Sequence, residues 1–209
     1  MKRYTVIYAD PPWNYGSPNR DAPSAQVQQG TKTQYIAKDG KRKTTRPLGY
    51  PMMKTESICA LPVRDLAAKD CTLFLWATCY LLPDAIDVMR AWGFDNKSVL
   101  VWDKMQQRMG TYSKANIELL LIGGRGTAKP NKECDRRLQY GLPDAVVSID
   151  ALTATKAQHS RKPDWFRTEY IDRFWPNGDR IELFARRAAE GWDVWGNEAP
   201  NSIEWGTNT

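Results

Sequence analysis

The chain places an acidic, proline-rich turn directly after its first apolar run. Residues 6–9 are β-branched, aromatic or small, and they lead into Asp10-Pro11-Pro12-Trp13. A residue before proline favours extended backbone, so the run predicts a buried strand that stops at Asp10. In open α/β sheets, ligands bind beyond the carboxyl ends of the strands. The turn would present a carboxylate, backbone carbonyls and the ring of Trp13 at that edge.

This set of groups suits a planar base that carries an exocyclic amine. The two prolines lack N–H donors and restrict the backbone, so hydrogen-bond acceptors dominate the turn. The same tetrapeptide is also an ordinary way to end a strand and begin a turn. The rest of the chain has to distinguish a binding site from a simple turn.

Further motifs occur in a fixed order along the chain. They occupy residues 4–13, 50–52, 73–76, 91–94, 99–104, 118–123, 159–164, 181–186 and 191–198. In this order, and across nearly the whole chain, the sequence resembles the DPPW-type N6-adenine methyltransferases. That family includes the catalytic subunit of the eukaryotic mRNA adenine methyltransferase and many bacterial and phage DNA methyltransferases.

The resemblance implies an α/β, Rossmann-like fold of the S-adenosylmethionine-dependent methyltransferases. We expect a mostly parallel sheet, permuted so that the catalytic strand precedes the cofactor strand in sequence. The implied reaction moves a methyl group from S-adenosylmethionine to the N6 amine of adenine in nucleic acid. DNA is preferred, because small stand-alone members of the family resemble bacterial or phage DNA enzymes.

The chemistry gives the acidic turn a defined task. The lone pair of an adenine amine is delocalised into the ring, and two acceptors aimed at its hydrogens favour a pyramidal, attacking nitrogen. We expect the Asp10 carboxylate and the Pro11 carbonyl to be these acceptors, with Pro12 fixing the turn. Trp13, together with Tyr15 or Tyr50, would stack on the extruded base.

The cofactor half is expected near the carboxyl terminus. Glu182 lies within a predicted strand and stands where methyltransferases often place an acidic residue near the cofactor, although a surface ion pair is the alternative. By the resemblance, Lys162 binds the carboxylate of the cofactor's methionine moiety, and Asp10 is also expected to contact the cofactor. Three further residues resemble cofactor contacts: Arg186, Asn197 and Glu198.

Glu118 opens another apolar strand and matches a family glutamate that lies beside the target base. Its alternative is a half-buried carboxylate paired with Lys104 or Lys114. The usual glycine-rich turn after the cofactor strand is absent, as it is in the family that the chain resembles.

Composition limits the class of protein. The chain has 209 residues and a formal net charge of +6, which fits one domain, residues 1–209, and favours a polyanionic partner. Four cysteines without a Cys-x-x-Cys pair and a single histidine are too few for a zinc site, so no metal is expected. No signal segment or membrane-length apolar run is present, and we expect a cytoplasmic monomer or homodimer.

Hydrophobic spacing outlines the secondary structure. Residues 61–69 and 80–92 have helical spacing, whereas residues 71–77, 99–102 and 117–122 predict strands. Residues 163–175 predict a helix, followed by a turn at residues 176–178 and a strand over residues 180–185. Strands that alternate with helices are typical of a parallel sheet.

Two long polar segments, residues 14–49 and 124–143, interrupt this pattern and are rich in lysine and arginine. Loops of this length are functional or disordered. The first leaves directly from Trp13, so we expect it to contact nucleic acid phosphates through Lys41, Arg42, Lys43 and Arg46.

Three rival functions remain. An RNA adenine methyltransferase is the nearest, and a catalytically silent nucleic-acid-binding adaptor of the same fold is the second. The intact acidic turn, Lys162 and Asn197 argue against the silent adaptor. A small-molecule methyltransferase is disfavoured by the two basic segments.

Overall fold

The computed structural model describes residues 2–14, 34–36, 42–44, 52–103, 117–130, 146–148, 162, 164 and 166–205. Its strands are β1 (Tyr4–Ala9), β2 (Gln34–Ile36), β3 (Arg42–Thr44), β4 (Ala67–Thr78), β5 (Asp95–Asp103), β6 (Ile117–Arg125), β7 (Val146–Ser148), β8 (Arg180–Leu183) and β9 (Asp193–Trp195). Within the described residues, seven of them form one sheet in the order β7-β5-β6-β4-β1-β8-β9, and β2 pairs with β3 separately.

The sheet is mostly parallel, as the sequence predicts. Strand β1 runs parallel to both neighbours, β4 and β8, and β9 runs parallel to β8. Strand β6 is the exception, because it runs antiparallel to β4 and to β5. The amino end of β6 therefore lies at the edge where β1, β4, β8 and β9 end.

The predicted permutation is confirmed. Strand β1, which leads into Asp10, comes first in sequence, whereas β8, which carries Glu182, comes near the end of the chain. The two are nevertheless direct neighbours, with Tyr8 in register with Glu182. The strands expected to carry the catalytic and the cofactor residues are thus adjacent in the sheet.

Helices cover both faces of the sheet. Helices α1 (Thr55–Cys59), α2 (Val63–Leu66) and α3 (Leu82–Ala91) pack on the face that carries Ile7, Leu73 and Leu75. A π-helix (Phe166–Ile171), continued by α4 (Asp172–Phe174), packs on the face that carries Tyr8 and Trp76. No helix in the described part of the chain is long and apolar enough to cross a membrane.

One predicted helix is wrong in its second half. Helical spacing over residues 61–69 yields only α2, and β4 already begins at Ala67. Pairing with β1 explains the difference, because Tyr4 lies in register with Ala67. Tertiary pairing overrides local spacing here. The strand predicted to reach residue 185 ends at Leu183, since Phe184 takes a positive φ of 62°.

Trp13 lies in the core and not on an open face. Its side chain is 3 % exposed, and its indole N–H donates to the backbone carbonyl of Trp76 at 2.9 Å. A parallel bridge to Met53 fixes its backbone. A ring that is 3 % exposed offers little surface to a base, and the stacking role of Trp13 stays a prediction. The indole N–H anchors the acidic turn to β4.

Replacing Trp13 by Phe tests whether the indole N–H anchors the acidic turn to β4. Phenylalanine keeps an aromatic face but removes the N–H donor to Trp76, so we expect Trp13→Phe to lower the free energy of unfolding by about 1–3 kcal/mol. Trp205→Phe is the matched control, because the Trp205 indole nitrogen is buried without a hydrogen-bond partner among the described residues. Urea unfolding measures both. Unchanged stability in Trp13→Phe would mean that the indole hydrogen bond does not anchor the turn.

Candidate active site

Three charged side chains meet where β1 ends. Asp10 follows β1 directly, and Glu118 lies at the amino end of the antiparallel β6, in register with Thr78 at the end of β4. Lys162 reaches the same point from the segment that precedes the π-helix. Because strand direction brings Asp10 and Glu118 to one edge, residues 108 positions apart in sequence share a site.

Lys162 connects the two carboxylates. Its Nζ lies 2.7 Å and 2.9 Å from the two Asp10 carboxylate oxygens, and 3.1 Å from Glu118 Oε2. The Lys162 and Glu118 side chains are 9 % and 6 % exposed, whereas Asp10 is 24 % exposed. The ammonium also lies 5.4 Å from the centre of the Trp76 ring. Asp10 is therefore the member of this charge cluster most open to a ligand.

Burial and charge act against each other in this cluster. Burial raises the pKa of Asp10, and the charge of Glu118 raises it further, although Lys162 opposes both. Burial alone would lower the pKa of Lys162, but the two carboxylates raise it above its ordinary value. The cluster carries two negative charges and one positive charge when all three groups are ionised. Its net charge favours a cationic or hydrogen-bond-donating ligand.

The backbone of the acidic turn is fixed by its own hydrogen bonds. The Pro11 carbonyl accepts from the Trp13 N–H at 2.8 Å, and the Pro12 carbonyl accepts from the Met53 N–H at 2.7 Å. A carbonyl oxygen has two lone pairs, so Pro11 retains capacity for a second donor. The turn can still present Asp10 and the Pro11 carbonyl together.

A cavity of about 830 Å³, counting the space that opens to solvent, joins this cluster to the cofactor half. Asp10, Lys162 and Glu182 line it, and so do two other residues expected from the sequence, Arg186 and Glu198. Asn197 is exposed in the turn that follows β9, next to Glu198. Five of the six expected cofactor residues therefore share one cavity.

The structure adds a residue that the sequence did not single out. Arg167, in the first turn of the π-helix, is 8 % exposed and forms an ion pair with Glu182 inside the cavity. Burial raises the pKa of Glu182, and Arg167 opposes that shift. The sequence does not show which way the side chain of a single arginine in a predicted helix points. Only the ion pair with Glu182 on β8 identifies it.

Other expected substrate contacts cannot be placed. Tyr15, Lys41, Arg46 and Tyr50 lie outside the described residues. Arg42 and Lys43 lie in β3, where the backbone alone is described. Glu118 pairs with Lys162, and neither Lys104 nor Lys114 lies in the described part of the chain.

The fold and the site together define a class. A permuted α/β sheet with an acidic turn at the end of its first strand, beside a charged cavity, is the arrangement expected of an adenine methyltransferase. The MT-A70 family model matches residues 4–198. The chain therefore belongs to the MT-A70 family, and it is a methyltransferase.

Individual relatives of the chain are named as methyltransferases. The chain is 34 % identical over 209 residues to the type II methyltransferase M.MunI of Mycoplasma sp, covering 97 % of this chain and 81 % of the relative. It is 26 % identical to the N(6)-adenine-specific methyltransferase METTL4 of Homo sapiens, covering 94 % of this chain and 38 % of the relative. It is also 26 % identical to the N6-methyladenosine RNA methyltransferase MTA1 of Cryphonectria parasitica, covering 93 % and 51 %. The chain thus spans at most about half of the last two relatives.

Removing the central cation should destabilise the protein in a pH-dependent way. Lys162→Met leaves Asp10 and Glu118 facing each other without a counter-charge, and we expect a loss of about 3–5 kcal/mol at about pH 8. The substitution raises the pKa values of Asp10 and Glu118 in the folded state. The stability of the variant therefore falls as the pH rises through these values. The deficit relative to wild type should therefore shrink near about pH 5.

Lys97→Met is the matched control for Lys162→Met. Lys97 pairs with Asp95 at 3.3 Å, but their side chains are 56 % and 83 % exposed. Its loss should cost less than about 1 kcal/mol at either pH. Urea unfolding at both pH values tests the comparison. Equal deficits for Lys162→Met at the two pH values would mean that the carboxylates are not coupled through Lys162.

Proposed function

We propose that this protein transfers a methyl group from S-adenosylmethionine to the N6 amine of adenine in DNA. The observation that carries the proposal is the position of Asp10, at the end of β1, held by Lys162 at the cavity that also contains Glu182. Family membership supports the reaction class, and the residues at the sheet edge support the division into a substrate side and a cofactor side.

The cavity fits the proposed cofactor in the chemistry of its lining. Asp10 and Lys162 offer opposite charges suited to the ammonium and carboxylate of an amino-acid moiety. Glu182 offers acceptors for ribose hydroxyls, with Arg186, Asn197 and Glu198 at the same end. When bound, the cofactor would supply a methyl group on a sulfonium centre.

The substrate side acts through hydrogen bonds. The Asp10 carboxylate and the Pro11 carbonyl would accept the two amine hydrogens and so localise the nitrogen lone pair. Burial raises the pKa of Asp10, and a raised pKa also suits this carboxylate to accept the proton that the methylated nitrogen releases. Glu118, buried beside Lys162, would keep the cation and Asp10 in place next to the base.

The preference for DNA rests on the comparison with two relatives. The chain is 34 % identical to a bacterial type II methyltransferase and 26 % identical to the RNA methyltransferase of Cryphonectria parasitica. We further propose that the basic segment containing Lys41, Arg42, Lys43 and Arg46 binds phosphates, with Tyr15 or Tyr50 against the base. RNA methylation is the second candidate, favoured by the name of the fungal relative.

A labelled-methyl assay tests the proposal. The protein is incubated with labelled S-adenosylmethionine and with DNA or RNA in separate reactions, and the modified base is identified by mass spectrometry. We expect N6-methyladenine in DNA. Asp10→Asn should lower the turnover number at least about 100-fold, because it removes a charged acceptor from a dry site. Asp95→Asn, on an exposed aspartate, is the control. Labelled RNA alone would select the second candidate, and an Asp10→Asn rate within a few-fold of wild type would remove Asp10 from the chemistry.

A further inference from the structure

The Arg167–Glu182 ion pair lies inside the cavity, and the proposed methyl transfer assigns no task to Arg167. Its side chains are 10 % and 16 % exposed. Taking both charges out of water is costly, and buried pairs can often be replaced by apolar residues without loss of stability. An ion pair on the wall of a ligand cavity therefore has to be explained by what the cavity binds as well as by the fold.

The scaffold holds Arg167 firmly. Phe166, which is fully buried, packs edge-on against Trp76 with ring centres 4.8 Å apart. The backbone N–H of Arg167 donates to the Asp164 carbonyl at 2.9 Å. A π-helical turn begins here, and such turns are frequent at functional sites. The backbone that carries Arg167 is thus held in place at the cavity, and the guanidinium is held by its ion pair with Glu182.

Several charged groups surround the Glu182 carboxylate. Arg167, from the π-helix, bonds to it directly, and Asp10 at the end of β1 adds a second negative charge. Arg187, from the segment after β8, adds a more distant positive charge, while it also pairs with Asp164. Tyr8 is the register partner of Glu182 on β1, and its buried hydroxyl accepts from the Trp76 indole N–H at 2.7 Å. Arg167 is the cation that bonds to Glu182 in the described part of the chain.

We propose that Arg167 is a positioning residue that holds the Glu182 carboxylate in place for the ribose hydroxyls of the cofactor. The inference rests on the proposed function, because it takes S-adenosylmethionine as the ligand. Arg167 acts through Glu182 and contacts no reacting atom. Its role is to supply a fixed, ionised acceptor where burial would otherwise favour the neutral carboxylic acid.

The test measures cofactor binding as a function of pH. Calorimetry with S-adenosylmethionine is carried out between about pH 6 and pH 8.5 on wild type, Arg167→Met, Arg167→Lys and the double variant Arg167→Met with Glu182→Gln. Without Arg167 the pKa of Glu182 rises further, so the carboxylate is lost as pH falls. Comparison with the double variant removes the ligand's own titration, because a glutamine cannot ionise.

The proposal predicts a pattern that a purely structural ion pair would not produce. Arg167→Met should bind about tenfold more weakly than wild type near the acidic end and approach wild type near the alkaline end. Arg167→Lys should follow the wild-type pH profile, and the double variant should be weak at every pH. Arg173→Met, on an exposed arginine of α4, is the control and should match wild type.

Each contrary result has a separate meaning. A loss in Arg167→Met that is equal at all pH values, or no loss, overturns the positioning role. If Arg167→Met does not fold, Arg167→Lys against Glu182→Gln decides, and equal weakening in both overturns the role. Wild-type protein that binds no S-adenosylmethionine at any pH would instead contradict the proposed function.

Discussion

The contact on which the site depends is the buried ammonium of Lys162 between Asp10 and Glu118. Two carboxylates do not readily stay ionised together in a water-poor site without a nearby cation, because each raises the energy of the other's ionised form. Lys162 supplies that cation at 2.7 Å and 3.1 Å from the two acids. The same contact joins β1, β6 and the segment before the π-helix.

The topology makes this contact possible. In a fully parallel sheet, Glu118 would lie at the edge opposite Asp10, because Glu118 stands at the start of its strand whereas Asp10 follows the end of β1. Strand β6 runs antiparallel to β4, and this reversal brings Glu118 to the edge where β1 ends. Strand β8 is a direct neighbour of β1, although the two strands lie near opposite ends of the chain. The reversal of β6 therefore brings Glu118 to Asp10, and the pairing of β1 with β8 brings Glu182 to the cavity that Asp10 lines.

Much of this arrangement could be predicted from local sequence. Asp10 follows a clear apolar run, and the strand over residues 180–183 is marked by its pattern and by the turn before it. Recognition of the family placed Lys162 and Glu182 near the cofactor, and the structure places both on one cavity wall with Asp10.

What the sequence could not predict depends on partners distant in the chain. Trp13 looked like an open stacking surface, but its indole bonds to Trp76 on the next strand. Residues 67–69 had helical spacing and became part of a strand because β1 lies beside them. Arg167 was identified only by its ion pair with Glu182, a partner on another element. Local pattern indicates which residues are apolar or charged, but packing determines which way each side chain points.

A ¹³C NMR titration of the labelled Asp10 carboxyl group measures its electrostatic coupling to Lys162 and Glu118 directly. In wild type, the pKa should lie above the ordinary aspartate value, because burial and Glu118 outweigh Lys162. Lys162→Met should move the Asp10 pKa further up, and Glu118→Gln should move it down. An Asp10 carboxyl that titrates at the ordinary aspartate value in all three proteins would mean that Asp10 is not coupled to Lys162 and Glu118.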